Sequence, residues 1–323
     1  MERWPIAGSF AISRGAKTEA VVVVAELSSG DSGRKITGRG ECVPYARYRE
    51  TPETVTALIE SLRDPILAGL NRMDLQKALP PGAARNALDC AFWDFEAKSA
   101  GKRVYELAKL PQPKPLVTAF TISIDTPDAM AGAARVAAER PLLKIKLGAD
   151  GDPERIAAVR NAAPKAELIV DANEGWNLDN LAENLAACVR AGVTLVEQPL
   201  PDGADEILRG LQRSLLLCAD ESAHDRKSLN GLIGKYDAVN IKLDKTGGLT
   251  EALAMANEAR RLNLSIMAGC MVSTSLSMAP ALLIAQMARV ADLDGPLLLA
   301  RDRPHGLRYD GSLVYPSEHS LWG

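Results

Sequence analysis

No run of 18 apolar residues occurs in this chain, so no segment has the length and hydropathy of a membrane-spanning helix. The opening MERWPIAGSFAIS is too short and too polar for a secretory signal. The expected compartment is the cytoplasm. An excess of charge of one sign is lacking too: 38 Lys and Arg against 41 Asp and Glu leave a net charge of −3, which offers no basic face to nucleic acid or anionic lipid. The five cysteines (42, 90, 188, 218 and 270) are scattered, odd in number and without CxxC spacing, which points away from a disulfide framework or a zinc site and toward buried free thiols. Low-complexity tracts and long charge runs are missing as well. What remains is an ordinary globular composition, 47% hydrophobic and 24% charged over 323 residues, enough chain to bury roughly 75% of its unfolded surface.

The first hundred residues differ in pattern from the rest. EAVVVVAEL at 19–27 and KITGRGEC at 35–42 read as an antiparallel pair joined by the turn SSGDSG at 28–33. A helix follows over 51–70, with Thr51 as N-cap and Pro52 at its first position, and another over 83–100 that stops at Gly101. LPQPKP at 110–115 reads as a linker. Residues 1–112 are therefore expected to form a small α+β domain, 113–300 a second unit, and 301–323 a segment rich in Pro and Gly that packs back on the first domain.

In the second unit, short apolar runs end in charge at a regular interval. LLKIKLG (142–148), ELIVDANEG (167–175), TLVEQPL (194–200), LLLCADES (215–222) and AVNIKLDKTGG (238–248) close on Lys146, Asp171, Glu197, Asp220 and Lys245, spaced 25, 26, 23 and 25 residues apart. About 25 residues is one strand–loop–helix–loop unit. Strands are also expected at 116–124, 264–269 and 290–299, and Thr126-Pro127 and Asp152-Pro153 read as helix starts. Repeated units of this kind build a parallel sheet buried on both faces. Closed into a barrel, the sheet would bring all five charged strand ends to one mouth. Acidic residues after strands often cap helices or pair in loops. Three at consecutive strand ends would repel one another unless a cation sat between them, and hard oxygen ligands with open positions suit Mg²⁺. Asn173 and Glu221 stand beside these acids either to orient them or as turn residues.

Lys144 and Lys146 lie two apart on one strand and so share a face at about 6.6 Å. Two ammoniums about 7 Å apart at an effective dielectric near 20 repel by roughly 2 kcal/mol, which lowers a lysine pKa by about 1.5–2 units. A nearby divalent cation would bring it further toward the range of a general base. Lys245, several units after Lys146, is expected nearly opposite it in an eight-stranded ring. Asp292 and Asp294 in VADLDGP again share one face, and two carboxylates so close call for a cation such as a substrate ammonium.

KIK, VDAN, VEQP, ADES and KLDKTGG, in this order and spacing, resemble the muconate-lactonising branch of the enolase superfamily over essentially the whole chain. The resemblance implies a modified (β/α)7β TIM-type barrel with an N-terminal α+β capping domain. It implies one Mg²⁺ per subunit on Asp171, Glu197 and Asp220, acid/base lysines at Lys146 and Lys245, and an auxiliary Lys144 near the developing oxyanion. The Asp292/Asp294 pair resembles the DxD signature by which dipeptide epimerases hold a substrate ammonium. Arg14 in FAISRGAKTEA is similar to the arginine of their mobile loop, which pairs with a glutamate side chain, and Thr121 in TAFTIS to a substrate-contacting threonine. GECVPYARYRE and GCMVSTS are similar as well. Within that group the resemblance is to enzymes acting on L-Ala-D/L-Glu in murein peptide recycling. It implies transfer of the α-proton of the C-terminal residue between Lys146 and Lys245 beside Mg²⁺, with Lys146 serving the R configuration.

An o-succinylbenzoate synthase or muconate-type cycloisomerase is the alternative, and the acidic pair counts against both because neither binds an ammonium. Mandelate-type racemases and sugar-acid dehydratases present a histidine from a late strand, whereas His224, His305 and His319 lie outside the sixth and seventh strands expected here. A catalytically silent barrel is the reading from a different class. The expected partner is a dipeptide, with neither nucleic acid nor membrane, in a possible homo-oligomer.

Overall fold

Between Phe120 and Ala291 the apolar runs fold into eight short parallel strands that curl into one closed sheet. In the computed structural model, which describes residues 1–29 and 35–323, the chain opens with an antiparallel sheet of β1 (Glu2–Ile12), β2 (Gly15–Ser28) and β3 (Thr37–Cys42). β1 was not legible in the sequence. Most of the SSGDSG turn lies outside the described residues. The helix expected over 51–70 is two helices, α1 (Pro52–Ser61) and α2 (Arg63–Leu67), divided at Leu62, because Pro65 has no N–H to give to an uninterrupted helix. The expected capping at Thr51 is present, its side chain accepting from Thr54 N. α3 (Arg72–Ala78) leads into the long α4 (Ala83–Ala100), which ends on left-handed Gly101, and α5 (Val104–Leu107). β3 lies directly on α4. A Cβ at Gly40 would fall 2.1 Å from the Ala87 carbonyl oxygen, so only glycine allows this approach.

The expected strand 116–124 is divided as well. β4 (Leu116–Val117) joins the hairpin of β13 (Tyr309–Asp310) and β14 (Leu313–Val314), and β5 (Phe120–Ile122) begins the barrel. Then come α6 (Pro127–Val136), β6 (Leu142–Lys146), α7 (Asp152–Ala162), β7 (Glu167–Asp171), α8 (Leu181–Arg190), β8 (Val193–Glu197), β9 (Leu216–Ala219) and β10 (Ala238–Ile241). α9 (Leu243–Thr246), α10 (Leu249–Arg261), β11 (Ser265–Ala268), α11 (Ser275–Ala285) and β12 (Val290–Ala291) complete it. Neighbours from β5 to β12 pair in sequence order, and Ala119 N donates to Ala291 O at 2.8 Å to close the ring. This is the barrel with an N-terminal capping domain that the motifs implied. Helices do not follow every strand. Short 3₁₀ turns, Glu206–Leu208 and Leu229–Leu232, replace them after β8 and β9, where Pro201, Gly203, Gly210, Gly231 and Gly234 interrupt any helical run. The strand expected over 290–299 stops at Ala291 for the same reason, since Gly295-Pro296 opens a 3₁₀ turn.

The barrel interior is layered by strand parity. Leu142, Ile169, Leu195, Cys218, Ala238, Met267 and Val290, with Ala119, form one apolar floor. Two residues further along the same strands come Lys144, Asp171, Glu197, Asp220, Asn240 and Asp292, all buried. A polar layer therefore rests on an apolar one, and the mouth lies above both. The carboxyl-terminal residues contact the first domain: Arg39 Nη2 donates to Leu321 O (3.0 Å), Trp322 Nε1 to Cys90 O (3.0 Å) and Gly323 N to Asp94 Oδ1 (2.7 Å). All five cysteines are free thiols, and among the described residues no helix is long and apolar enough to cross a membrane.

Candidate active site

Parallel register sets Lys146 beside Asp171 and Asp171 beside Glu197 at the mouth ends of β6, β7 and β8. Asp220 follows at the end of β9. Lys144 Nζ lies among three carboxylates, 2.7 Å from Glu197 Oε2, 2.7 Å from Asp292 Oδ2 and 3.1 Å from Asp171 Oδ2. Lys146 Nζ is 2.5 Å from Asp171 Oδ2. Burial works against the charge on Lys144, but Asp292, Glu197 and Asp171 outweigh it and hold its pKa well above the usual lysine value. For Lys144 this corrects the expectation of a lowered value, because repulsion from a second ammonium is smaller than attraction to three acids in the same dry layer. Burial and the neighbouring Asp171 charge push Glu197 up to about 7. Asp171 and Asp220 go the other way, burial being overcome for Asp171 by Lys146 and Lys144 and for Asp220 by Lys242 and Lys245.

The second acid/base lysine requires a correction. Lys245 lies in α9, its side chain fully buried, and it spends its donors on Asp220 O (2.5 Å), Asp220 Oδ1 (2.5 Å) and Asn240 O (3.0 Å). It does not line the cavity. Lys242 does, as Lys146 does, with its ammonium 2.6 Å from Asp220 Oδ2. Parity explains the difference. Ala238 belongs to the floor and Asn240 to the polar layer, so Lys242 is the next inward position, whereas Lys245 comes after the strand has turned into a helix. Counting 25 residues from Asp220 passed over that signal, which was present in AVNIK. Asn240 was also missed; its Nδ2 donates to Glu197 Oε1 at 2.6 Å.

The cavity above these groups has a volume of about 780 Å³ and lies between barrel and capping domain. Asp292, Asp294 and Thr121 form one side of it. Asp292 Oδ2 is engaged by Lys144 while its buried Oδ1 has no partner, and Asp294 Oδ2 accepts from Thr121 N at 2.6 Å. Burial and then the Asp292 charge push Asp294 up to about 7. Arg14, in the β1–β2 turn, reaches over the mouth, donating to Glu221 Oε1 (2.7 Å), Asn173 O (2.8 Å) and the Tyr45 hydroxyl (3.1 Å) and pairing with Glu174 Oε2 (3.2 Å). Glu174 was not singled out in the sequence. It also takes a two-pronged contact from Arg47 (2.8 and 2.7 Å), so one barrel carboxylate is gripped by two segments of the capping domain. Asn173, left open between turn and orienting residue, is the left-handed residue whose N–H donates to Asp171 Oδ1 at 2.9 Å.

Asp171, Glu197 and Asp220 supply buried hard oxygen donors from consecutive strand ends, a set that fits Mg²⁺. Among the described residues no three acidic, imidazole or thiol groups converge closely enough to hold an ion as they stand. Instead, the ammoniums of Lys144, Lys146 and Lys242 lie against these carboxylates as cationic stand-ins, and long lysine side chains can turn away to admit a metal.

Comparison with known proteins agrees with this geometry. Residues 1–108 match the mandelate racemase/muconate lactonizing enzyme N-terminal domain, and residues 128–307 the enolase C-terminal domain-like family. The chain is 46% identical to an L-Ala-D/L-Glu epimerase of Escherichia coli (strain K12), over 95% of each chain. It is 45% identical to an N-acetyl-D-glutamate racemase of Pseudoalteromonas sp, over 94% of each. An enolase family member from Agrobacterium tumefaciens with homology to dipeptide epimerases, solved with sodium, L-Ala-L-Glu and an ordered loop, is 56% identical with a TM-score of 0.97, covering 100% of this chain and 98% of that one. A dipeptide epimerase from Enterococcus faecalis V583, solved with Mg and L-Leu-L-Tyr, is 27% identical with a TM-score of 0.90, covering 98% of this chain and 95% of that one.

Proposed function

The chain belongs to the mandelate racemase/muconate lactonizing enzyme family of the enolase superfamily, and from that premise we propose that it is a dipeptide epimerase interconverting L-Ala-L-Glu and L-Ala-D-Glu. The observation that carries the mechanism is that Lys146 and Lys242 both face one cavity beside the buried acids Asp171, Glu197 and Asp220. Asp171, Glu197 and Asp220 would hold Mg²⁺, which when bound draws electron density from the substrate carboxylate and so acidifies the neighbouring α-proton. Lys146 takes or returns that proton on one face of the α-carbon and Lys242 on the other, with Lys146 serving the R configuration. Lys144 donates a hydrogen bond to the carboxylate oxygen on which negative charge builds. Asp292 and Asp294 receive the amino-terminal ammonium beside Thr121, and Arg14 exchanges Glu221 for the side-chain carboxylate of the substrate.

A second reading is favoured by the 45% identity to an N-acetyl-D-glutamate racemase: the same proton transfer on an N-acylated glutamate, which has no ammonium. The unpartnered oxygen of Asp292 and the neighbouring Asp294 support a cationic amino group instead. Alanyl-glutamate chemistry fits the recycling of murein peptides in the cytoplasm, and that setting is part of the proposal. So is a division at residues 112 and 300 into capping domain, barrel and returning segment.

¹H NMR in D₂O tests the reading, with L-Ala-L-Glu and N-acetyl-L-glutamate as substrates, with Mg²⁺ and after chelation. Loss of the glutamate α-proton and growth of L-Ala-D-Glu signals only with metal is the expected result. Turnover of N-acetylglutamate alone would transfer the assignment to the racemase.

A further inference from the structure

Behind Asp220, away from the cavity, lies a buried polar network that the proton transfer does not use. Its centre is Gln198, the residue after Glu197, fully buried and held at φ 36°, a left-handed conformation that is strained for a non-glycine residue and persists where surrounding contacts hold it. Its Oε1 accepts from the backbone N–H of Asp220 (2.9 Å) and Ser222 (3.1 Å), extending past the strand ends the pairing of β8 with β9 that Gln198 N makes to Cys218 O (2.9 Å). Its Nε2 donates to Leu200 O (2.8 Å), Ser222 Oγ (2.9 Å) and the Tyr236 hydroxyl (3.0 Å). Both hydroxyls in turn give their protons to Asp205 Oδ2, each at 2.8 Å, and Lys235 neutralises Asp205 at 2.6 Å. With their protons committed, the hydroxyl oxygens can only accept, which fixes the amide with nitrogen toward them and oxygen toward Asp220 N.

We propose that Gln198 is a positioning residue for the cation site: it ties the backbone that carries Glu197 to the backbone that carries Asp220, and so sets the separation of these two carboxylates. The inference rests on the assignment of Asp171, Glu197 and Asp220 as Mg²⁺ ligands. Partners outside the ligands themselves commonly change metal affinity by about 10–100-fold when removed. Asp205, Ser222, Tyr236 and Lys235 act one step further out, holding the amide in its orientation.

The test is the Mg²⁺ dissociation constant of folded protein by calorimetry, with the melting temperature read separately in chelator. Gln198→Leu keeps the volume but leaves the N–H groups of Asp220 and Ser222 unpaired, and its Mg²⁺ dissociation constant should rise about 10–100-fold. Tyr236→Phe, which keeps the ring and is remote from the cavity, should move it a smaller amount in the same direction, and it carries the test alone if Gln198→Leu does not fold. Variants that melt lower yet bind Mg²⁺ as tightly as wild type would reduce Gln198 to a structural residue and overturn the inference. Absence of Mg²⁺ binding by the wild-type protein would instead overturn the ligand assignment, and the inference with it.

Discussion

Lys245 holds Asp220 twice, through the backbone carbonyl and through Oδ1, both at 2.5 Å, from the side of the barrel wall. Lys242 reaches the other oxygen of the same carboxylate from the cavity, at 2.6 Å. One acid thus separates a lysine that lines the cavity from one that does not. Lys242→Met should lower epimerisation by about 10²–10⁴-fold or more, while exchange of the α-proton of one epimer with D₂O survives through Lys146. Lys245→Met should leave both stereochemical courses of exchange open and act on stability, because removing one partner of a buried ion pair costs about 3–5 kcal/mol. Stereospecific exchange read by NMR, beside thermal melts, separates the two. Loss of exchange from one face in Lys245→Met with normal epimerisation by Lys242→Met would reverse the assignment.

Arg14 should govern which side chain is accepted rather than the chemistry. Arg14→Ala is expected to lower kcat/KM for L-Ala-L-Glu by about 10-fold or more, as for loss of one charge-assisted contact, with much less effect on L-Ala-L-Gln. Arg14→Lys should not restore the ratio, since an ammonium cannot reproduce a planar fork. Equal losses on both dipeptides would point to loop ordering instead.

Asp294 bears on the amino end. Asp294→Asn should weaken turnover of L-Ala-L-Glu and leave any turnover of N-acetyl-L-glutamate unchanged, because only the former brings a positive charge. Paired kcat/KM values on the two substrates decide it, and an equal fall on both would remove the ammonium from the argument.

Asp244 ties the capping domain to the barrel, accepting from Val43 N (3.0 Å) and Asn86 Nδ2 (2.8 Å), and burial pushes its carboxyl up to about 7. An unfolded aspartate titrates near 3.9. Between about pH 4 and pH 7 the folded chain therefore keeps a proton that the unfolded chain has lost, and the stability contributed at this position falls as pH rises through that window. Asp244→Asn should gain on wild type in melting temperature from pH 4.5 to pH 7.5. Parallel curves for the two proteins would show that Asp244 titrates normally.

The cluster of charged side chains was legible wherever a strand ended in charge. Lys146, Asp171 and Glu197 lie together because parallel register brings the ends of neighbouring strands to one level. Counting intervals did not find the cavity-facing lysine because the chain leaves the strand at Ile241 and turns into α9, where spacing no longer reports direction. Alternation along AVNIK points inward at Lys242, which lines the cavity. Glu174, Arg47 and Asn240 were not legible at all: the first two meet across 127 residues of sequence, and the third is an asparagine inside an otherwise apolar strand. β1 was hidden because most of its residues are not buried, so it lacks the apolar run by which buried strands show themselves.

The apolar floor formed by Leu142, Ile169, Leu195, Cys218, Ala238, Met267 and Val290 has one more consequence. It closes off the barrel beneath the polar layer, so the cavity that holds Lys146 and Lys242 faces the capping domain, where Arg14 and Arg47 grip Glu174. In the proposed reaction a proton taken from substrate is either handed back or exchanged with solvent from that side. How much of the original hydrogen a product molecule keeps would then measure how slow that exchange is.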